Sequence, residues 1–124
     1  MFATTLLAAA ALTQAQVPVT VAGSNAERVD VGYEELMQGR AEAAIARIRA
    51  NRELEAGDPA ALINLGTAHA RLGHSAEAQG FYRAAIISSE RYDLQLADGR
   101  WMDSRAAARL AIAMQGQGQT LAVK

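Results

Sequence analysis

The residues of this sequence that could take part in chemistry are few, and their spacing does not suit a catalytic or metal site. His69 and His74 are five residues apart, one on a predicted helix and one in the turn after it, and no acidic residue completes a ligand set with them. Glu34 and Glu35 are adjacent, so on a helix their side chains point in different directions and cannot act as a pair. The sequence therefore predicts no catalytic residue, no bound metal and no cofactor.

The composition indicates one globular, helical domain. The chain has 124 residues, of which 51% are hydrophobic and 20% charged. Its 12 basic and 13 acidic side chains are scattered along the chain, which argues against a nucleic-acid partner. Abundant alanine and only two prolines favour helices that pack through small side chains, and the lack of cysteine excludes disulfides.

The first fifteen residues have the pattern of a secretory signal. Residues 2–15 carry no charge, and the apolar run Leu6–Leu12 is followed by Thr13–Ala15. This pattern predicts a signal peptide over 1–15, a linker over 16–23, and a periplasmic or secreted protein. The run is too short for a permanent membrane span, which needs about 20 apolar residues. An uncleaved anchor and a cytoplasmic protein with an apolar start stay open, because no Lys or Arg precedes Leu6.

The elements that would position any site follow a 34-residue period. Pairs of residues of similar character recur at this offset: Gly32 and Gly66, Gly39 and Gly73, Ala44 and Ala78, Ile48 and Tyr82, Ser24 and Asp58. Both members of the last pair are suited to begin a helix, and Pro59 follows Asp58 directly. The apolar spacing within each unit predicts helices at about 24–38, 41–55, 58–72 and 75–89, which form two helical hairpins.

The second unit resembles the tetratricopeptide repeat. The residues that carry the resemblance are Leu62, Leu65, Gly66, His69, Gly73, Ala78, Tyr82 and Ala85. Leu62 and His69 depart from the aromatic residues of that pattern, and the first unit is more degenerate. The resemblance covers about residues 24–90 and implies an all-α, right-handed α-α superhelix, with Gly66 and Ala78 at a close approach of two helices.

The period ends after the second unit. Residues 92–100 contain an Asp98-Gly99 turn signal, so a short extended excursion and a loop are both open. From Asp103 the sequence is strongly helical, and we expect a fifth helix that covers the open end of the two hairpins. The helical domain is thus predicted over 24–115, and the stretch 116–124, rich in Gly and Gln, is predicted to be a flexible tail.

The resemblance also implies a binding surface for a protein or peptide segment. In the family, the first helix of each hairpin lines a concave groove; the residues carried over to it are Val29, Tyr33, Leu36, Met37, Ile63, Thr67, Ala70 and Arg71. From these we predict that the partner-binding side chains are Tyr33, Met37, Ile63, Thr67 and Arg71. A core role for Tyr33 and a solvated role for Arg71 are the alternatives. A family carboxylate clamp is disfavoured, because only Asn64 matches its ligand set.

The leading hypothesis is therefore a non-catalytic interaction scaffold of the cell envelope. The alternative is a self-associating subunit, a homo-oligomer that stacks through its last helix around Trp101, Leu110 and Met114. Trp101 could instead fill the end of the core. A third possibility is an enzyme or ligand-binding subunit whose site forms only with a partner.

Overall fold

The structure is a computed structural model, and it describes residues 31–51 and 57–124. Five helices and one β-hairpin lie in these ranges: α1 Tyr33–Met37, α2 Ala41–Ala50, α3 Pro59–Arg71, α4 Ser75–Ile87, β1 Asp93–Gln95, β2 Trp101–Asp103 and α5 Ser104–Gly116. The mostly helical prediction is confirmed, but the all-α class needs correction for the hairpin. The predicted signal peptide, the linker and the helix start at Ser24 lie outside the described residues.

Local signals fix the ends of α3. The side chain of Asp58 accepts a hydrogen bond from the backbone N–H of Ala61 at 2.9 Å, and Pro59 occupies the first turn. Gly73 has φ +81°, the left-handed conformation that ends α3 and lets the chain turn into α4. The predicted hairpin over 58–89 is therefore present, except that α4 ends at Ile87 because the Ser88 hydroxyl leaves the helix and donates to the carbonyl of Gly57.

The first hairpin departs from the prediction at Gly32. We predicted one helix over 24–38, but Gly32 has φ +70° and α1 begins only after it. A Cβ at this position would lie 3.2 Å from the carbonyl oxygen of Ala44 and 3.2 Å from the side chain of Ile48. Gly32 thus lies in close contact with α2, and its left-handed backbone cannot belong to a continuous helix.

Helices α3 and α4 approach closely through Gly66. A Cβ on Gly66 would lie 2.5 Å from Cε1 and 2.7 Å from Cδ1 of Tyr82, whose side chain is fully buried. Four apolar residues of the proposed repeat pattern also lie in the core, namely Leu62, Leu65, Ala78 and Ala85, whereas His69 is half-buried and Gly73 is exposed. The small side chains at positions 66 and 78 are therefore a packing requirement, as the sequence predicted.

The fifth helix covers α3 and α4. Ala107, Ala108 and Ala111 are buried against them, so the predicted covering helix is present, while Leu110 and Met114 are only half-buried. No helix within residues 31–51 and 57–124 is long and apolar enough to cross a membrane.

Residues 92–100 belong to a β-hairpin, so of the two structures left open by the sequence, the extended one is present. Strands β1 and β2 pair antiparallel, with Leu94 opposite Met102, and the Asp98-Gly99 turn joins them with Gly99 at φ +88°. Leu94 and Leu96 point into the core and are almost fully buried. The hairpin therefore forms one wall of the core beside α5.

The last residues also belong to the fold. Leu121, Ala122 and Val123 are buried, Val123 completely, and Val123 forms an antiparallel β-bridge with Leu96. This differs from the flexible tail predicted over 116–124. Three consecutive apolar side chains pack between α3 and β1. The free energy gained by burying them outweighs the conformational entropy lost when the Gly and Gln residues before them become ordered.

Candidate functional site

The predicted groove on α3 holds a segment of the chain itself. Asn64, Thr67 and Arg71 lie along one face of α3, Leu96 lies opposite them, and residues 119–124 run between. We call the space lined by these four residues the slot, and residues 119–124 the closing segment.

Asn64 binds the main chain of the closing segment in both directions. Its side-chain amide donates to the carbonyl of Val123 at 2.7 Å, and its carbonyl oxygen accepts from the N–H of Val123 at 2.9 Å. A second N–H of the same amide donates to the carbonyl of Val31 at 2.8 Å. Because Asn64 is fully buried, these three bonds satisfy a side chain that would otherwise destabilise the core. They recognise backbone atoms, so they do not depend on the side chain at position 123.

Thr67 extends this recognition by one more backbone carbonyl. The Thr67 hydroxyl donates to the carbonyl of Leu121. The Tyr82 hydroxyl lies 3.0 Å from the hydroxyl oxygen of Thr67. Thr67 has one hydroxyl proton, so the Tyr82 hydroxyl is the donor in the second bond. Burial raises the pKa of Tyr82, against smaller opposing effects of Thr67 and Arg71, so the phenol keeps its proton at neutral pH.

The side chains of the closing segment alternate between two parts of the core. Leu121 and Val123 join the main cluster that contains Leu94 and Leu96, and Ala122 joins a smaller cluster with Leu36. This alternation is the period of an extended strand. The slot therefore accepts an extended segment with apolar, small and apolar side chains in succession.

Two further predicted residues contact the ends of the closing segment. The guanidinium of Arg71 donates to the hydroxyl of Thr120 at 3.0 Å and also to the carbonyl of Leu36. At the other end, the ammonium of Lys124 lies 5.5 Å from the ring centroid of Tyr33, a cation–π contact. Three of the five predicted partner-binding residues thus contact residues 120–124, namely Tyr33, Thr67 and Arg71.

The accessibility of the five residues is uneven. Ile63 and Thr67 are fully buried, so neither is open to a visiting partner in this structure. Tyr33 is half-buried, Arg71 lies at the surface, and the side chain of Met37 is 55% exposed. The placement of Ile63 and Thr67 in an open groove is therefore corrected, because the closing segment and α5 cover this part of α3.

Sequence reasoning missed the two main contributors to the slot. From the sequence, Asn64 matches only a disfavoured carboxylate clamp, and Leu121–Val123 belong only to a predicted flexible tail. Two signals could have found them: a polar amide between the apolar Ile63 and Leu65 of a buried helix, and a run of three apolar residues after a polar stretch.

The histidine pair forms a separate surface feature. Nδ1 of His69 lies 3.2 Å from Nδ1 of His74, and the His69 ring stacks on Phe81 with centroids 5.2 Å apart. Burial, together with the charges of Arg49 and His74, lowers the pKa of His69. Within the described ranges no three His, Asp or Glu side chains are grouped so as to hold a metal ion.

An ion pair between the buried Glu35 and the exposed Arg47 joins α1 to α2. Two nitrogens of the Arg47 guanidinium bind one carboxylate oxygen of Glu35, at 2.9 and 3.0 Å, and Glu35 is nearly inaccessible to solvent. Burial acts to raise the pKa of Glu35, but its backbone N–H and the charges of Arg47 and Arg40 outweigh this effect and lower it. The pair fixes the first hairpin beside the slot.

The surface around the β-hairpin differs from its prediction in one respect. Trp101 is 60% exposed on β2, so it does not fill the end of the core. Tyr92 is partly exposed, and its hydroxyl donates to the carboxylate of Asp58; burial and this carboxylate raise the pKa of Tyr92. Arg100 pairs with Asp98 within the turn.

Comparison with known proteins adds no assignment to this geometry. The chain matches no family model, and neither a curated protein nor a solved structure matches it.

Proposed function

We propose that this protein is a non-catalytic interaction scaffold of tetratricopeptide type that binds an extended segment of a partner protein at the slot. The observation that carries the proposal is the pair of hydrogen bonds between the Asn64 amide and the main chain of Val123. A helix face that satisfies both the N–H and the C=O of one residue is suited to hold an extended segment of varied sequence.

The repeat assignment rests on two observations. The first is the 34-residue period of the sequence. The second is the close approach of α3 and α4 at Gly66 and Tyr82, at the positions that the repeat pattern reserves for a small and a large side chain. A right-handed superhelical stacking of the two hairpins belongs to this proposal.

The location belongs to the proposal as well. The uncharged start of the sequence with its short apolar run supports export, and thus a role in the cell envelope or outside the cell. N-terminal sequencing of the protein isolated from its source tests this step: export predicts a mature chain that begins at Gln16, and a chain that keeps residues 1–15 contradicts cleavage.

The exposed rim of the slot is where a partner would make its first contact. The Arg71 guanidinium lies between the carbonyl of Leu36 and the hydroxyl of Thr120, so Met37, the next residue after Leu36, is close to the entrance of the closing segment. An exposed thioether of this kind adapts to different apolar partners. Partner binding at the slot therefore predicts that Met37 contributes to affinity.

The test compares two exposed apolar residues. The full chain carrying Met37→Glu should lose the proteins that co-purify with the wild-type chain from its source. The chain carrying Ile87→Glu should keep them, because Ile87 is 81% exposed at the end of α4. Equal recovery with both variants would refute a partner site at the rim.

Self-association is the second candidate function, and exposure of Trp101 on β2 favours it. Light scattering of wild type and Trp101→Glu distinguishes this function from the first. A dimer that dissociates on substitution supports stacking through this end of the molecule.

A further inference from the structure

We propose that the closing segment of one copy of this chain also occupies the slot of a second copy, which gives a dimer by reciprocal exchange of residues 119–124. The proposal rests on the slot of the proposed function, but it specifies the occupant. Each copy would supply the strand that completes the core of the other.

The first reason is that the contacts between segment and slot are independent of the path by which the segment arrives. Asn64 and Thr67 bind backbone atoms of Val123 and Leu121, and the bridge between Leu96 and Val123 is also made by the main chain. A segment from a second copy makes the same bonds and buries the same side chains. Exchange therefore conserves the packing energy of the monomer.

The second reason is the turn that leads into the closing segment. Helix α5 ends in a Schellman motif, in which the N–H of Gln119 donates to the carbonyl of Met114 and that of Gly118 donates to that of Gln115. Gly118 has φ +72° and, like both its neighbours, is exposed. If Gly118 leaves the left-handed conformation, these two bonds break and the segment is directed away from its own slot. The bonds between segment and slot break as well, but they form again in the second copy.

The third reason selects a second copy over a foreign peptide as the occupant. A short linker holds the closing segment near its own slot at an effective concentration of about millimolar, and a separate peptide must compete with this. In a reciprocal exchange, the event that supplies a new segment also removes the old one. The incoming segment then no longer competes with a tethered one, so the monomer–dimer equilibrium depends on the conformation of the hinge and on protein concentration.

The test uses the absence of cysteine from the sequence and the register of the bridge. The N–H of Lys124 donates to the carbonyl of Gln95, which makes Leu96 and Val123 a non-hydrogen-bonded antiparallel pair. Residues in such pairs have Cα atoms about 4.5 Å apart, within the range that a disulfide spans. Cysteines at the two positions can therefore bond only when segment and slot are together.

Two single variants of the full chain, Leu96→Cys and Val123→Cys, are prepared with tags of different mass, mixed under reducing conditions and then oxidised. Exchange predicts a disulfide-linked heterodimer, resolved on a non-reducing gel and mapped by mass spectrometry to residues 96 and 123. Recovery of only monomers and like-with-like dimers from folded protein overturns the proposal. Circular dichroism of each variant before mixing shows that both are folded.

A second arm leaves the core unchanged and perturbs the hinge. Alanine in the left-handed conformation is strained, so Gly118→Ala should raise the dimer association constant on the order of a hundredfold, about tenfold for each of the two hinges. Gly116→Ala is the matched control, because Gly116 is the last residue of α5, has no positive φ, and none of the described atoms would lie within 4 Å of its added Cβ. Light scattering over a concentration series measures the dimer association constant of each variant. If the constant of Gly118→Ala equals that of the wild type, residue 118 is not the hinge.

Failure of exchange and failure of the proposed function give different results. A chain that forms no heterodimer but loses its partners with Met37→Glu keeps the scaffold function and excludes the exchange. A chain that exchanges but shows equal partner recovery with Met37→Glu and Ile87→Glu is an exchanged dimer without a partner site at the rim.

Discussion

Replacement of Gly66 by alanine should destabilise this protein, although alanine is the better helix former by about 1 kcal/mol. The added Cβ would lie 2.5 Å from Cε1, 2.7 Å from Cδ1 and 3.0 Å from Cζ of the Tyr82 ring. The ring cannot move aside at low cost, because it is fully buried and its hydroxyl is bonded to Thr67. Overpacking of this kind typically costs 1–3 kcal/mol, and loss of the hydroxyl bond adds about 1 kcal/mol. We expect a net loss of roughly 1–3 kcal/mol in the free energy of unfolding.

Gly80 provides the matched control on the facing helix. It lies inside α4, and among the described residues no atom would come within 4 Å of an added Cβ. Gly80→Ala should therefore stabilise the protein by about 0.5–1 kcal/mol through helix propensity alone. Urea unfolding followed by circular dichroism at 222 nm measures both variants. A Gly66→Ala protein as stable as Gly80→Ala would mean that α3 and α4 are not held at close range.

Three further predictions test the slot, the ion pair between Glu35 and Arg47, and the start of α3. Asn64→Leu should lower the free energy of unfolding by about 2–4 kcal/mol, because it leaves two carbonyls and one N–H of the buried main chain without their partner. Urea titration measures this loss, and a value below about 1 kcal/mol would contradict the prediction. The lowered pKa of Glu35 means that its stabilising effect is present above the pKa of the unfolded chain, about 4.3, and is lost as the pH falls through the folded value. The stability difference between wild type and Glu35→Gln should thus be largest near pH 7 and shrink toward pH 3, and a difference independent of pH would contradict the charge pairing with Arg47. Asp58→Ala should cost about 1–2 kcal/mol through loss of the helix cap, whereas Asp58→Asn, which keeps a capping oxygen, should cost less in the same unfolding assay.

The second hairpin was predictable because its signals are local. Asp58 and Pro59 fix the start of α3 within one turn, and Gly73 fixes its end, so no distant contact is needed to place them. The first hairpin was less predictable for the opposite reason. The left-handed backbone of Gly32 follows from its approach to Ile48 on another helix, and a period of apolar residues carries no information about that approach.

The slot was only half predictable from the sequence. Its helical side follows from the face of α3 that carries Thr67 and Arg71, but its occupant is 54 residues from Thr67 along the chain. A stretch such as Gln115–Gln119 favours disorder by composition, and the three apolar residues after it are too few to form an element alone. They become ordered only because Asn64 and Leu96 supply the backbone partners that an isolated strand lacks.

The occupied slot constrains how any partner could bind. Burial of Leu121 and Val123 is worth about 1.5–3 kcal/mol for each side chain, and the tether gives the closing segment an effective concentration of about millimolar. If a foreign segment and the closing segment each bound the empty slot with a dissociation constant of about 1 µM, the foreign segment would be weakened about a thousandfold by this competition. A partner can offset that penalty by additional contacts outside the slot, for which exposed Met37 is available. Partner binding and exchange should therefore compete for the slot, because both slots of the exchanged dimer are filled. Gly118→Ala, by favouring the open hinge, should raise the affinity of the monomer for a segment-binding partner, and this gain should shrink at protein concentrations at which the dimer forms.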